Sequence, residues 1–281
     1  MENAIALGTF DGVHKGHRAV LQLPDTYKKI AVTFSVPPKA VLSGELSLIL
    51  TPEDKCRILK SIGMDDVLLL DFEDVRDMEP EDFLQFLKGK YNPKLISCGF
   101  NYRFGKNGAG DCETIKSFCE GNGIIFKMTE PVKCEDTVIS STHIRNLLKN
   151  GLVEMANALL SEPFSYETEV IEGDRRGRTI GFPTANQKYP ENLVKLRFGV
   201  YKTKIEVEGK VYFGITDIGI RPTYQIDYII SETYINNFSG DLYGKKVRIT
   251  PLKFLREEKK FSSLSELEEQ IKKDINSIGV N

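Results

Sequence analysis

Apolar and polar positions follow two different rhythms along this chain, and the rhythm changes near residue 160. In the first part, apolar runs of strand length alternate with stretches of helical spacing. Ala4-Ile5-Ala6-Leu7, Asp66 to Leu70, Leu95 to Cys98 and Ile124 to Met128 read as strands, and Asp66 to Leu70 has the look of a buried parallel one. Between them, Thr51 caps a helix with Pro52 at its first position and Gly63 at its close. A helix from Pro80 to Lys88 sets Phe83, Leu84 and Leu87 on one face, with Gly89 after it. Another carries Cys112, Ile115, Phe118 and Cys119 and ends before Gly121. This βαβα order predicts an α/β domain: a parallel sheet with helices on both faces, and ligands beyond the C-terminal strand ends.

After about Leu160, alternating segments take over: Tyr201 to Val207, Val211 to Ile215, Asp227 to Ile235 and Lys246 to Ile249. Gly209-Lys210 and Ser239-Gly240 supply turn signals. One helix closes the chain, with Ser263 and Glu266 as a capping box and Leu264, Leu267, Ile271 and Ile275 as a core stripe. The pattern predicts an antiparallel β-barrel with a terminal helix. The boundary falls near Ser161-Glu162-Pro163, giving domains of residues 1–161 and 162–281.

Composition changes this picture little. The 281 residues are 41% hydrophobic and 28% charged, enough for two separate cores. Thirty-eight basic against 40 acidic side chains leave a net charge of −2, so no global attraction draws the chain to nucleic acid or an anionic membrane. No apolar run approaches the ~20 residues of a membrane span, and the N-terminus enters its first strand without a signal-peptide pattern. Cys56, Cys98, Cys112, Cys119 and Cys134 are odd in number and lack C-x-x-C spacing. They predict free thiols in a reducing cytoplasm rather than a disulfide frame or a zinc site.

The strongest chemical signal follows the first strand: Gly8-Thr9-Phe10-Asp11-Gly12-Val13-His14-Lys15-Gly16-His17. A strand, a glycine turn and two histidines one helical turn apart at a helix start make a place for phosphate. Gly16 lets an anion approach the backbone. The alternative for His14 and His17 is a pair of surface histidines on a helix end. A second anion-binding start lies at Ser140-Ser141-Thr142-His143-Ile144-Arg145, where hydroxyls cap or donate and Arg145 offers a fork matched to phosphate. Read alone, that segment is an ordinary capped helix with a solvated arginine. His143 reads as a solvent-facing helical residue.

Together these two motifs resemble the adenylyltransferase module of prokaryotic bifunctional riboflavin kinase/FAD synthetases, a Rossmann-like nucleotidyltransferase domain. Gly99-Phe100-Asn101-Tyr102-Arg103-Phe104-Gly105 is similar to the family's G-x-D-F-x-F-G loop, and Thr33-Phe34 with Pro38 to its T-F-E-P-x-P segment. Asn101 stands where Asp is usual, Ser35 and Val36 replace Glu and Pro, and the stretch between His17 and Thr33 is shorter than usual. These departures fall on the flavin side. The resemblance implies that FMN phosphate attacks the α-phosphorus of ATP and pyrophosphate leaves. It implies His14, His17 and Arg145 on the polyphosphate, with Gly8, Phe10, Asp11, Gly12, Gly16, Ser140, Ser141 and Thr142 around the nucleotide. Asn101 and Phe104 are placed at the flavin.

The second part holds Gly173-Asp174-Arg175-Arg176-Gly177-Arg178-Thr179-Ile180-Gly181-Phe182-Pro183-Thr184-Ala185-Asn186. Its glycine-arginine stretch can wrap phosphates or be an ordinary basic turn. Thr184 and Asn186 put two neutral oxygens on one side of an extended segment, which suits Mg²⁺. The string resembles the riboflavin kinase signature G-D-x-R-G-R-x-x-G-F-P-T-A-N. Phe198 to Tyr201, Ile218 to Thr223, Leu242 to Lys245 and Leu255-Arg256 with Lys260-Phe261 fit the same family. Within Ser231 to Ile235, Glu232 matches its catalytic carboxylate. Alternation puts Glu232 on the face of Ile230 and Tyr234, where lost solvation would make it a better base; a salt-bridged structural glutamate is the other reading. The resemblance implies Gly173, Arg176, Gly177, Arg178, Gly181 and Pro183 at the nucleotide, Arg221 and Tyr243 at the flavin, and Thr184 and Asn186 at the metal.

The chain is thus expected to phosphorylate riboflavin to FMN and adenylylate FMN to FAD, using two ATP and Mg²⁺. Its partners are the small molecules riboflavin, FMN and ATP, with neither nucleic acid nor membrane, in a cytoplasmic monomer or weak homo-oligomer. The competing expectations are an enzyme with one active half, a flavokinase with weak FAD synthesis, and a non-catalytic flavin-binding regulator.

Overall fold

A computed structural model of the 281-residue chain describes residues 1–173, 181–221, 228–259 and 261–276. The chain divides into two compact units, Met1–His143 with Leu159–Glu162, and Ile144–Ala158 with Pro163–Asn281.

The first unit runs β1 (Glu2–Leu7), α1 (Lys15–Leu21), β2 (Tyr27–Phe34), α2 (Pro38–Ser43), α3 (Pro52–Ser61), β3 (Asp66–Leu70), α4 (Phe72–Val75), α5 (Pro80–Tyr91), β4 (Pro93–Gly99), α6 (Cys112–Asn122) and β5 (Ile125–Thr129). The five strands are parallel in the order β3-β2-β1-β4-β5. The period of two in β1 divides its residues between two faces. Ile5 and Leu7 join Ile30, Val32 and Ile96 under Phe83, Leu84 and Leu87 of α5 and Ile115 and Phe118 of α6. The other face has small residues, and the Ser97 hydroxyl donates to the Val20 carbonyl of α1 at 2.9 Å. The expected helices on both faces are therefore present.

Three details differ from the sequence expectation. Asp66–Leu70 lies at the sheet edge, half-buried with Leu69 exposed, rather than in a buried central position. Gly89 does not end α5; the helix runs on to Tyr91 and stops at Asn92, in left-handed backbone at φ 42. Gly121 likewise stays inside α6, which ends at Gly123 with φ 63. A lone glycine costs a helix only ~1 kcal/mol, so the stop falls where a left-handed residue closes the last turn. Thr51 does cap α3, accepting from the Asp54 N–H at 3.2 Å.

Beyond β5 come a small hairpin, β6 (Lys133–Cys134) and β7 (Thr137–Val138), and α7 (Ser141–Lys149), which starts in the first unit and continues into the second. The second unit adds α8 (Val153–Leu159), β8 (Tyr166–Ile171), β9 (Thr184–Lys188), β10 (Gly199–Val207), β11 (Lys210–Arg221), β12 (Tyr228–Ile235), β13 (Lys246–Arg256) and α9 (Leu264–Asn276). The six strands β8 to β13 close an antiparallel barrel in the order β10-β11-β12-β9-β8-β13. β8 and β9 were not among the expected strands, because Tyr166–Ile171 carries three charged or polar residues and Thr184–Lys188 is almost wholly polar. Closure of the barrel buries Tyr166 and Val170 of the one and Ala185 to Gln187 of the other.

The barrel interior is partly polar, and its polar groups are paired. The Thr203, Thr216 and Thr233 hydroxyls form a chain at 2.9 and 3.0 Å, and the Tyr166 hydroxyl meets Ser231 Oγ at 2.7 Å. The Gln187 amide donates to the Thr168 and Val247 carbonyls at 2.7 and 2.8 Å. Such pairing removes most of the cost of burying these groups. The opposite face of β10 and β11 bears Val200 and Ile215, which pack with Leu255 and with Ile275 of α9. At the start of α9 the Ser263 hydroxyl accepts from the Glu266 N–H at 3.2 Å. The Glu266 carboxylate answers one residue early, accepting from the Ser262 N–H at 3.0 Å, so the capping box is displaced rather than reciprocal. The side chain of Leu264 lies outside the described residues.

Candidate active sites

β1 sits where the strand order reverses, with β2 and β3 on one side and β4 and β5 on the other. Parallel sheets open a crevice at such a point. Gly8 follows the strand; a Cβ there would lie 2.6 Å from the Phe10 ring, so the turn requires glycine. Phe10 (φ 45), Gly12 (φ 89) and Val13 (φ 38) then take left-handed backbone. That costs about 1–3 kcal/mol for each non-glycine residue, and more readily so for β-branched Val13. The surroundings hold the strain. Asp11 Oδ1 accepts the Ile49 and Leu50 N–H groups at 3.0 and 3.2 Å. The Thr9 carbonyl accepts the Thr33 hydroxyl at 2.8 Å and the Lys55 ammonium at 3.2 Å.

The loop delivers His14 to the N-cap of α1, where its Nδ1 accepts the His17 N–H at 3.3 Å. The two imidazoles stack with centroids 3.6 Å apart, and Phe10 meets the His17 ring edge-on at 5.4 Å. His17 Nδ1 is buried without a hydrogen-bond partner among the described residues. Burial first, then His14 and Lys55, hold the His17 imidazole well below the ordinary histidine value. A Cβ on Gly16 would come 3.1 Å from the His14 ring and 3.3 Å from the Ile139 carbonyl. Its lack of a side chain therefore admits the His14 ring itself. α1 has only seven residues, so the imidazoles and loop amides carry more of the site than the helix dipole does.

The second motif is joined to the first. The Ser141 hydroxyl donates to the Asp11 carbonyl at 2.8 Å, and Ser140 Oγ accepts the His143 N–H at 3.2 Å. Thr142 is exposed, and Arg145 lies half-buried one turn further along α7. Asn101 is exposed just past the end of β4. Phe104 turns inward instead: its ring packs with Phe83 and Tyr102 at 5.6 and 5.8 Å, and its backbone pairs with Gly110. It anchors the loop from the core. Lys55 is the residue of this site that sequence reasoning missed, because a lysine in an amphipathic helix reads as solvated; here it is 1% exposed.

In the barrel, the register aligns Asn186 of β9 with Glu232 of β12, and Glu232 with Asp217 of β11. Thr184 pairs with Tyr234 two residues along, so Thr184, Asn186 and Glu232 share one face, as alternation predicts. Asn186 Oδ1 is buried without a hydrogen-bond partner among the described residues, and a Cβ on Gly173 would lie 2.4 Å from the Asn186 amide nitrogen. An orphaned neutral oxygen on the same strand face as Thr184 fits a hard cation that keeps its other ligands from phosphate and water. Among the described residues no group of three His, Cys, Asp or Glu side chains could hold a metal.

A cavity of about 350 Å³ opens beside Thr184, lined by Val170, Pro183, Ala185, Thr233, Ile235 and the segment Phe238 to Tyr243. Tyr243, expected at the flavin, thus shares its cavity with Pro183 and Thr184, expected at the nucleotide and metal. Gly181 takes φ 79 just before this wall. Arg176, Gly177 and Arg178 lie outside the described residues, as does the side chain of Arg221. Asp217, also missed, has a buried Oδ1 with no hydrogen-bond partner among the described residues. Burial and the Glu258, Glu232 and Asp274 carboxylates push its carboxyl up to about 6, against the opposing pull of Arg256.

Comparison with known proteins covers both parts of the chain. Residues 1–143 match the FAD synthetase family and residues 160–279 the riboflavin kinase family. The chain is 36% identical to the bifunctional riboflavin kinase/FMN adenylyltransferase of Bacillus subtilis, over 97% of this chain and 90% of that one. It is 34% identical to the same-named protein of Listeria monocytogenes, over 98% and 90%. A crystal structure described as a macrolide-efflux protein from Streptococcus pneumoniae superposes with a TM-score of 0.91 at 30% identity, covering 99% of this chain and 93% of that one. Among the described residues, no helix here is long and apolar enough to cross a membrane. Two family matches in tandem and full-length relatives above 30% identity place the chain in the family of bifunctional riboflavin kinase/FMN adenylyltransferase enzymes.

Proposed function

We propose that residues 162–281 phosphorylate riboflavin to FMN and that residues 1–161 adenylylate FMN to FAD, each step consuming one ATP. The observation that carries this reading is a pair of polar clusters on unrelated scaffolds: the stacked His14 and His17 with their loop tied to Ser141, and Asn186 aligned with Glu232 on the barrel.

At the cradle, the FMN phosphate attacks the α-phosphorus of ATP and pyrophosphate leaves. No covalent intermediate is required, so the residues position the reactants and offset charge. His14, His17 and Arg145 donate to the polyphosphate, Gly8 to Gly12 and Ser140 to Thr142 enclose the nucleotide, and exposed Asn101 faces the flavin side. At the barrel, Glu232 accepts the proton of the riboflavin 5′-hydroxyl as its oxygen attacks the γ-phosphorus and ADP leaves. Gly173, Gly181 and Pro183 take the nucleotide, and Tyr243, across the cavity from Pro183, takes the flavin. Members of this family use ATP and so call for a divalent cation. Mg²⁺, held by Thr184 and Asn186, would supply charge neutralisation on the phosphates. The reading includes a cytoplasmic location, a monomer or weak homo-oligomer, and no nucleic-acid or membrane partner.

Incubation with riboflavin and MgATP should yield FMN and then FAD. The absence of both products overturns the reading. FMN accumulating without FAD at saturating ATP restricts it to the kinase half, and flavin binding without ATP consumption points to a regulator. His17→Ala should lower FAD formation at least about a hundredfold while sparing FMN formation, and Glu232→Ala should do the reverse.

A further inference from the structure

Lys55 is buried, yet the reaction just described gives it no part. Its ammonium donates to the Phe34 carbonyl at 2.6 Å and the Thr9 carbonyl at 3.2 Å, so it ties the C-terminal ends of β2 and β1 together. An ammonium is an expensive means to that end. Removing one from water costs several kcal/mol, and carbonyl partners return only part of it. A threonine hydroxyl already grips Thr9 from Thr33, so the tie alone does not require a cation.

We propose that Lys55 is a positioning residue of the adenylyl-transfer site, holding the loop that carries Phe10 and keeping the stacked His14 and His17 rings in one charge state. The path is short. Lys55 bonds the Thr9 carbonyl, the next residue is Phe10, and the Phe10 ring meets His17. The stacked geometry argues against two charged rings. His14 Nδ1 accepts the His17 N–H and so bears no proton, and two imidazolium rings 3.6 Å apart would repel. The titratable and charged groups around His17 are His14 at its own helix start, Lys55 from α3, and Asp11, which acts on Lys55. Lys15 and Arg18 of α1 are exposed. With the rings neutral, the cradle meets the polyphosphate without first losing or gaining a proton, and the fixed charge beneath it is already in place.

The inference rests on reading the cradle as the adenylyl-transfer site, and its test separates the two. The chain has only three histidines, so ring resonances in the full-length protein can be followed by NMR, with His17→Ala identifying one of them. His17 should titrate well below the ordinary value of 6.5. Lys55→Met should raise its midpoint, and Lys55→Arg should leave it low. FAD formation from supplied FMN should fall more at pH 6 than at pH 8 in Lys55→Met, because more of His17 is then protonated, while FMN formation from riboflavin is unchanged. A wild-type His17 titrating at its ordinary value overturns the inference. So does an unaltered midpoint in a folded Lys55→Met protein, or a midpoint raised in Lys55→Arg. If Lys55→Met does not fold, Lys55→Gln, which also removes the charge, is titrated in its place. His17→Ala retaining FAD formation would instead overturn the assignment of the site.

Discussion

Single residues carry the chemistry of this protein through what surrounds them, and two carboxylates show the contrast. Asp11 is buried and its Oδ1 is held by two backbone N–H groups. Asp217 is buried beside other carboxylates, with an oxygen that has no hydrogen-bond partner among the described residues. The folded state therefore binds a proton at Asp217 more tightly than the unfolded chain does. Stability from this group is complete below its ordinary value of 3.8 and is lost as pH rises through about 6. Asp217→Asn should raise stability by about 1–2 kcal/mol at pH 8 and by much less near pH 4, as thermal unfolding at the two pH values would show. No gain at pH 8 would mean that the charge is compensated. Asp217 went unrecognised in the sequence because its register partner, Glu232, lies 15 positions away, and only strand pairing makes them neighbours.

At the scale of elements, glycines decide how closely segments meet. Gly173 precedes the glycine-arginine stretch and presses on the Asn186 side chain, leaving no room for a methyl group. Gly173→Ala should displace that amide and raise the KM for MgATP in FMN formation about tenfold, a loss of ~1.4 kcal/mol. FAD formation from FMN should be unaffected, and equal effects on both reactions would refute the local explanation. The helix starts were legible: Thr51 with Pro52, and Ser140 before α7, signal through neighbours in sequence. The helix ends were not, because Gly89 and Gly121 are stop signals by type, yet each helix runs on to a residue in left-handed backbone, Asn92 and Gly123. The polar strands β8 and β9 were missed for a related reason. Their alternation is weak, and barrel closure supplies what their side chains lack.

For the whole molecule, the two units carry separate chemistries, and the product of one is the substrate of the other. A mixture of His17→Ala and Glu232→Ala proteins should convert riboflavin to FAD after a lag in which FMN accumulates, read by chromatography of the flavins. No FAD from the mixture, with each variant still active in its own half, would show that FMN does not leave the chain that made it. By itself the sequence determined the two-part plan, the parallel-sheet and barrel classes, and the motif residues from Gly8 to His17, Ser140 to Arg145 and Gly173 to Asn186, because each rests on residues close together along the chain. Tertiary structure alone decided that Lys55 is buried beneath the first motif, that Phe104 faces the core, and that Asn186, Glu232 and Asp217 form one row. Those facts depend on burial and on register between strands distant in sequence, and a run of neighbouring residues does not encode which remote surface will cover it.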